Sequence, residues 1–219
     1  RATSDADIKA RLDRVAVLRT NSPKAATQKG AKWPHRFEEV KQTGLEVVTI
    51  VPKVSSETRE YLPVGLLPAG SIITDLAFAL YDAPLWNMAL IASRLHLIWI
   101  ATVCGKMKTD FRYSNTLGWN TFPVPTLTEK NKADLTRCAE DILLAREAHF
   151  PETIADLYKP DDMPEDLRRA HGRNDEVLER IYIGRHFKND TERLEKLFDL
   201  YTKMTANKNA AGNARRVSK

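Results

Sequence analysis

The chain has 219 residues, of which 42% are hydrophobic and 29% are charged, and its formal net charge is +5. A chain of this length can bury a core as one domain or as two modest ones, and it has no charge-free apolar run of about 18 residues that would span a membrane. Its first residues lack the pattern of a signal peptide, and because it begins with Arg1 rather than Met we expect it to belong to a longer polypeptide.

The positive charge is unevenly distributed. Lys and Arg outnumber Asp and Glu by 16 to 11 in residues 1–125 and by 5 to 0 in residues 203–219, whereas residues 126–202 hold 13 against 18. A basic first part beside an acidic second part favours the first as the part that faces phosphates. A weakly basic surface without any nucleic-acid role is also common, so the charge supports DNA binding without establishing it.

The first part of the chain predicts one helix and one loop. Residues 6–19 have apolar side chains at helical spacing, and Ser4 or Asp5 is placed to cap that helix. Residues 20–34 are polar and contain Pro, Gly and several Lys, which indicates a loop. The Lys side chains of this loop are candidates for phosphate contacts, although a solvated connector explains them equally well.

Two strands and a helix follow. Residues 45–52 are rich in Val and Ile and predict a buried strand, and residues 72–81 predict another. Pro84 begins a predicted helix that continues to Val103. His96 lies within this helix without a second metal ligand nearby, and we interpret it as a structural residue.

The residues that follow the first predicted strand combine small hydroxyls with an Arg. Ser55, Ser56 and Arg59 can hold a phosphate through side-chain and backbone donors. Ser and Thr are equally common in plain turns, so the segment supports either interpretation.

A charged run at residues 105–114 (GKMKTDFRYS) carries the most specific chemistry. If this run is extended, residues two apart point to the same side, so Lys108 and Asp110 present donors and an acceptor side by side. That pair suits the two edges of one G·C base pair, because Lys can donate to guanine O6 and N7 and Asp can accept from cytosine N4. The alternative is a solvated, charged strand end, since exposed Lys and Asp are ordinary.

The last part of the chain is predicted to be helical. The sequence Phe-Pro-Val-Pro at residues 122–125 breaks both helix and sheet and marks a boundary between modules. Helical spacing then predicts four segments, at residues 128–149, 153–158, 164–182 and 190–203. Residues 205–219 lack apolar periodicity and are expected to be disordered, with cations that either attract DNA non-specifically or form an inert end.

No motif for catalysis is apparent. The sequence has no Gly-rich loop after a strand, no Gly-x-Ser-x-Gly and no carboxylate cluster typical of a metal nuclease. Cys104 and Cys138 have no further ligand at metal-binding spacing and are interpreted as buried thiols, which fits a reducing cytoplasm. We therefore expect no catalytic residue, metal site or cofactor site within this chain.

From about Val15 to Met204, the chain resembles the C-terminal part of the Type IIL (MmeI-like) restriction–modification proteins and their methyltransferase relatives. Each matching block is weak alone, but the blocks occur in the same order and with similar spacing. They are residues 50–65 (IVPKVSSETREYLPVG), 93–99 (SRLHLIW), 105–114, 122–125 (FPVP), 155–158 (ADLY) with Met163, Pro164 and Leu167, and 197–201 (LFDLY).

The resemblance implies an α+β fold with a mixed α/β target-recognition module followed by a small all-α domain. Residues 1–125 would be the C-terminal part of the DNA target-recognition domain, residues 126–204 the helical C-terminal domain and residues 205–219 a disordered basic tail. It also implies a cytoplasmic, phage-defence protein that recognises double-stranded DNA and methylates adenine N6 with S-adenosylmethionine. The methyltransferase domain, and in many members a nuclease, would precede this chain in the same polypeptide.

The resemblance also assigns candidate residues. In the family, the positions that match Lys108 and Asp110 form a charged pair that reads one base pair, usually with the acidic residue first. Here the order is reversed, so we expect Lys108 to contact guanine and Asp110 to contact its paired cytosine. The other candidates for DNA contact are Lys53, Ser55, Ser56, Arg59, Lys106, Arg112, Tyr113 and Ser114. The chain departs from the family pattern at Val124, where Trp is frequent, and at Trp119, where Tyr is frequent.

Two other functions remain open. One is a protein-interaction scaffold built on the helical half, which predicts no salt-dependent DNA binding. The other is the same recognition module in a methyltransferase that never cleaves DNA. For the helical half within a recognition protein, we favour a bracing role over closure around the DNA or attachment of other domains.

Overall fold

The computed structural model describes residues 5–37 and 43–217, with side chains through residue 206. The chain forms two compact units, Arg1–Leu45 and Glu46–Lys219. Helices and small antiparallel sheets are combined, so the α+β class predicted from the sequence is confirmed. Among the described residues, no helix has the length and apolar composition required to cross a membrane.

The first unit is built on α1 (Ala6–Thr20). Asp5 caps this helix, because its carboxylate accepts the backbone N–H groups of Asp7 and Ile8 at 2.9 and 3.1 Å. Ser4, the other predicted cap, lies outside the described residues. No residue of α1 is buried, so the apolar stripe seen in the sequence does not form core within this unit.

The segment predicted as a loop at residues 20–34 contains regular structure. It forms the short helix α2 (Ala25–Lys29) and a 3-10 turn (Gly30–Lys32). The Arg19 guanidinium fastens the segment by donating, at 2.8–3.0 Å, to the carbonyl oxygens of Gly30, Trp33 and Arg36. The loop prediction is wrong because a five-residue helix is too short to show an apolar period.

Within the described residues, six strands form two three-stranded antiparallel sheets. The strands are β1 (Val48–Pro52), β2 (Val54–Ser55), β3 (Gly65–Leu67), β4 (Ala77–Tyr81), β5 (Gly105–Met107) and β6 (Asp110–Arg112). Sheet A has the order β3–β1–β4 and sheet B the order β2–β6–β5. Lys53 alone separates β1 from β2, so the chain passes directly from one sheet to the other. The strands predicted at residues 45–52 and 72–81 are present as the shorter β1 and β4.

The helix predicted from Pro84 to Val103 is in fact two helices, α3 (Trp86–Ile91) and α4 (Arg94–Val103). Ser93 separates them. Its backbone is extended, and its hydroxyl donates to a carbonyl in the last turn of α3 at 2.6 Å while accepting a backbone N–H of α4 at 3.2 Å. One buried side chain therefore ends the first helix and caps the second, a break that the continuous apolar spacing hides.

Four helices complete the second unit. They are α5 (Glu129–Glu147), α6 (Ile154–Leu157), α7 (Glu165–Ile183) and α8 (Asp190–Val217). Their bounds lie within two residues of the predicted ones, except at the end of α8. The backbone of residues 205–217, which the sequence predicts to be disordered, continues α8, and the Ala, Lys and Arg of this segment favour helix. Ser218 and Lys219 lie outside the described residues.

One apolar core joins both halves of the second unit. Side chains of α3 and α4 pack with side chains of α5, α7 and α8 in a single buried cluster. Trp99, Leu135 and Leu167 are among its fully buried members. Burial of a large side chain contributes roughly 1.5–3 kcal/mol. The sequence at residues 122–125, predicted as a boundary between modules, therefore connects two halves of one packed unit.

Candidate nucleic-acid interface

The charged run folds into a β-hairpin with the two-residue turn Lys108–Thr109. Met107 in β5 lies opposite Asp110 in β6, so the turn projects beyond the last strand pair. Lys108 has a φ of 58°, in the left-handed region where residues other than glycine are uncommon. Its side chain is exposed and has no hydrogen-bond or ion-pair partner in the part of the chain that the structure describes.

The expectation that Lys108 and Asp110 lie side by side along one extended strand is wrong, because the chain reverses direction between them. Lys108 belongs to the turn, and Asp110 is the first residue of β6. Both nevertheless remain at the same tip of the hairpin. Asp110 is partly exposed, and its carboxylate also lacks a partner among the described residues.

Asp110 shares one face of sheet B with four other residues. Successive strand residues point to opposite faces, whereas directly opposed residues point to the same face. The register pairs Met107 with Asp110, and it pairs Arg112 with both Gly105 and Val54. Val54, Met107 and Arg112 are exposed, so we call these five residues the outer face of sheet B.

Lys106 lies on the other face, because the register pairs it with the buried Phe111. Its ammonium is 3.2 Å from a carboxylate oxygen of Glu57 and 5.8 Å from the centroid of the Phe111 ring. The two charged side chains are 50% and 37% exposed. Since an exposed ion pair is worth only about 0–1 kcal/mol, Lys106 can exchange Glu57 for a phosphate.

The turn after β2 places one predicted contact residue inside the protein. Ser55 is 3% exposed, and its hydroxyl accepts a hydrogen bond from the Arg59 guanidinium at 3.5 Å. Ser55 therefore supports the turn from inside the protein, and its role in DNA contact stays a prediction. Ser56 and Arg59 are partly exposed, and the Ser56 hydroxyl is 3.0 Å from that of Thr58.

Tyr113, another candidate for DNA contact, is buried in the core. It is 5% exposed, and its hydroxyl is 3.0 Å from Nε2 of His96. Burial raises the pKa of Tyr113 and lowers that of His96 to about 3, which agrees with the interpretation of His96 as a structural residue. Ser114 is partly exposed, but its hydroxyl caps the π-helical turn Asn115–Trp119 by accepting the N–H of Leu117 at 3.3 Å.

Lys53 occupies the single position between the two sheets. Its N–H donates to the carbonyl of Leu76 at 3.1 Å, and its own carbonyl accepts the N–H of Tyr113 at 2.8 Å. Its ammonium lies 5.1 Å from the centroid of the Phe78 ring, within the range of a cation–π contact. The backbone of Lys53 thus holds the sheets together, and only its partly exposed side chain is left for a phosphate.

A buried polar network, which has no signal in the sequence, ties α5 and α7 to the strand-bearing half. Arg146 is 8% exposed and donates from Nη1 to the carbonyl of Val64 at 2.5 Å and from Nε to the Tyr158 hydroxyl at 2.9 Å. That hydroxyl donates to Nε2 of His171 at 2.6 Å, and Nδ1 of His171 donates to the carbonyl of Ala92 at 3.2 Å. Burial and the nearby Arg146 lower the pKa of His171 to about 3, so its neutral ring both accepts and donates.

Asp175 of α7 makes a second link of this kind. Its carboxylate accepts the backbone N–H of Arg94, the first residue of α4, at 2.8 Å and the hydroxyl of Tyr61 at 3.0 Å. Burial raises the pKa of Asp175 to about 7. Tyr61 also stacks on His171, with ring centroids 4.2 Å apart. Polar residues on a helix are ordinarily solvated, which is why spacing alone did not single these out.

The described residues contain no group of three or more His, Cys, Asp or Glu side chains arranged to hold a metal ion. Cys138 is buried and Cys104 is partly buried, and both are free thiols. The predicted burial is therefore confirmed for Cys138 alone. Burial raises the pKa of both thiols, to about 11 for Cys138.

Two adjacent family models match this chain. Residues 1–126 match the model described as "MmeI, target recognition domain", and residues 127–208 match "MmeI, C-terminal domain". DNA methyltransferase A of Bacillus subtilis (strain 168) is 38% identical over 196 residues, which are 88% of this chain and 22% of that protein.

A solved structure of the Type IIL restriction-modification enzyme MmeI in complex with DNA is similar in fold. The TM-score is 0.84 at 30% sequence identity, over 91% of this chain and 26% of that one. The chain thus spans about a quarter of the length of each of these two relatives.

Proposed function

The chain belongs to the MmeI family, as a target-recognition domain followed by a C-terminal domain, and from that premise we propose that it is the DNA-recognition module of a site-specific DNA methyltransferase. In this proposal the module reads base edges in double-stranded DNA and positions the target for a methyltransferase domain of the same polypeptide. That domain would use S-adenosylmethionine to methylate adenine N6, and the protein would act in the cytoplasm.

The observation that carries the proposal is a hairpin tip with two opposite charges that lack partners among the described residues. A two-stranded β-ribbon fits the major groove of B-DNA. There, the Lys108 ammonium can donate to N7 and O6 of guanine, and the Asp110 carboxylate can accept from N4 of the paired cytosine. A partnerless pair of this kind is chemically complementary to one G·C pair in one orientation.

Affinity would come from phosphate contacts, which set the position of the protein on the duplex. Arg112 lies on the outer face of sheet B, next to Asp110 along the strand direction. Lys106 and Arg59 are held only by weak or exposed partners. We assign phosphate contacts to these three cations and a lesser role to Lys53 and Ser56.

We further propose that residues 126–204 brace the part of the recognition domain formed by residues 46–125. Support comes from the shared apolar core and from the buried bonds of Arg146 and Asp175 to the strand-bearing half. The net negative charge of residues 126–202 argues against broad contact of this part with DNA.

The test is a map of methylated sites made with the full-length protein, as wild type and with Lys108→Glu combined with Asp110→Arg. We expect one position of the motif to change between G and C, since a bidentate contact discriminates by about 1–3 kcal/mol. The matched control swaps the exposed ion pair between Asp156 of α6 and Lys159, which follows that helix, as Asp156→Lys with Lys159→Asp, and should leave the motif unchanged.

Other outcomes would redirect the proposal. An unchanged motif with persisting methylation would make the Lys108 and Asp110 pair a solvated surface feature. Absence of both methylation and salt-dependent DNA binding in the wild type would instead favour the protein-interaction scaffold.

A further inference from the structure

Gly105 is a glycine that the fold does not require. It is the first residue of β5, at the edge of sheet B, and its φ is not positive. A Cβ built at this position would meet no atom within 4 Å. By contrast, a Cβ at Gly118 would lie 3.2–3.3 Å from Ile100, Cys104 and Tyr113, so packing explains that glycine.

A glycine in a strand normally costs stability, because it loses more conformational freedom on folding and has no side chain to pack. A strand glycine often marks a β-bulge, a tight bend, or a place where a ligand or another backbone approaches closely. The register around Gly105 is unbroken, so no bulge requires it, and no other described backbone lies within 4 Å of the added Cβ. The open space above Gly105 is therefore informative about a ligand rather than about the fold.

The neighbours of Gly105 indicate which ligand this is. Gly105 lies directly opposite Arg112, on the same face as Met107 and Asp110. The face thus offers a cation for phosphate, a carboxylate for a base amine, and the exposed apolar side chains of Met107 and Val54. Apolar side chains suit the 5-methyl group of thymine and the sugar carbons. The outer face of sheet B is also continuous with the hairpin tip that holds Lys108.

We propose that the outer face of sheet B lies against the DNA duplex and that Gly105 is its point of closest approach. This inference rests on the proposed function and extends the contact from the two charged residues at the tip to the whole face. Gly105 admits the duplex because it has no side chain. From β6, the strand that pairs with β5, Arg112 then reaches a DNA phosphate. Met107 is placed against a base edge or a sugar.

The experiment compares Gly105→Val and Gly105→Ala with the wild type in the full-length protein. The two measurements are the dissociation constant for a duplex that carries the mapped methylation site and the melting temperature of the free protein. We expect the dissociation constant to rise about tenfold for Gly105→Val, a change within the range expected for the loss of one base contact. The rise should be smaller for Gly105→Ala, whose side chain is shorter. The melting temperature should stay equal or rise, because a strand glycine is replaced where space is open.

Gly172→Ala is the matched control. Gly172 lies in α7, and a Cβ there also meets nothing within 4 Å. Its replacement should raise the melting temperature through helix propensity and leave DNA binding unchanged.

Each alternative outcome has a separate meaning. An unchanged dissociation constant for Gly105→Val, with a wild type that binds, would overturn this inference and leave the proposed function standing. A lower melting temperature would also overturn it, because another part of the protein would then occupy the space. A wild type that binds no DNA would refute the proposed function itself.

Discussion

Arg112 and Tyr113 are adjacent in the chain but have opposite surroundings. Arg112 is exposed on the outer face of sheet B, whereas Tyr113 is 5% exposed with its hydroxyl against His96. The alternation of side chains along an extended backbone separates the two. Both were candidates for DNA contact, and the structure places Arg112 at the surface and Tyr113 in the core.

This division predicts opposite effects for two conservative substitutions. Tyr113→Phe leaves Nε2 of the buried His96 without its partner and should lower the free energy of unfolding by about 1–3 kcal/mol, with no change in the methylated motif. Arg112→Gln should leave the free energy of unfolding within about 0.5 kcal/mol and weaken DNA binding. Urea unfolding and duplex titration of both variants provide the measurements. If Tyr113→Phe leaves stability unchanged and weakens DNA binding, the Tyr113 hydroxyl contacts DNA instead of stabilising the core.

At the scale of elements, the hairpin turn combines the charge that we propose for base recognition with an uncommon backbone conformation. Lys108 takes the left-handed φ that a two-residue hairpin turn requires. Glycine is the usual residue in that conformation, because a Cβ there crowds the following carbonyl oxygen. A Lys at this position costs stability locally, and its ammonium at the tip offers a functional reason for keeping it.

Comparison of Lys108→Gly with Lys108→Ala separates the two roles. Both variants lose the ammonium and should relax the methylated motif at one position. Only glycine relieves the backbone, so Lys108→Gly should exceed Lys108→Ala in free energy of unfolding by roughly 1 kcal/mol. Denaturant midpoints test the difference. Equal midpoints would mean that the turn is not strained, whatever the effect on the motif.

Elements could be predicted from the sequence where they are long enough to show a period. The helices α5 and α7 repeat their apolar residues over several turns, so their bounds lie within two residues of the predicted ones. The break at Ser93 depends on hydrogen bonds of a single hydroxyl. The strands of sheet B have two or three residues each, too few to reveal which side of Lys106 or Ser55 faces the core. For the same reason, Lys108 and Asp110 could be selected as a pair, but the turn at Lys108 and Thr109 could not be predicted.

At the scale of the whole molecule, the two halves of the second unit are held by buried polar groups as well as by apolar packing. Tyr182 of α7 donates to the carbonyl of Pro123 at 2.9 Å. Trp99 of α4 packs against the rings of Phe198 and Tyr201 in α8, at centroid distances of 5.2 and 5.7 Å. Relative movement of the halves would therefore expose core, which favours the helical half as a rigid brace for the hairpin.

Asp175 makes the stability of this junction depend on pH. Its folded pKa is raised from 3.8 to about 7 because burial penalises the charged carboxylate. Between these two values the folded state binds more protons at this site than the unfolded state, so the contribution of Asp175 to stability falls as pH rises. That contribution is complete below pH 4 and is lost as pH passes through about 7.

Asp175→Asn should therefore flatten the pH dependence of unfolding between pH 4 and 7. The amide oxygen can still accept the N–H of Arg94, and the Tyr61 hydroxyl can turn to accept from the amide nitrogen. Relative to the wild type, the variant should gain stability as pH rises, measured as urea midpoints at intervals from pH 5 to pH 8. Asp161→Asn, at an exposed position, is the control and should retain the wild-type profile. If the Asp175→Asn and wild-type curves stay parallel, the carboxylate is charged in the folded protein throughout, and its two donors outweigh burial.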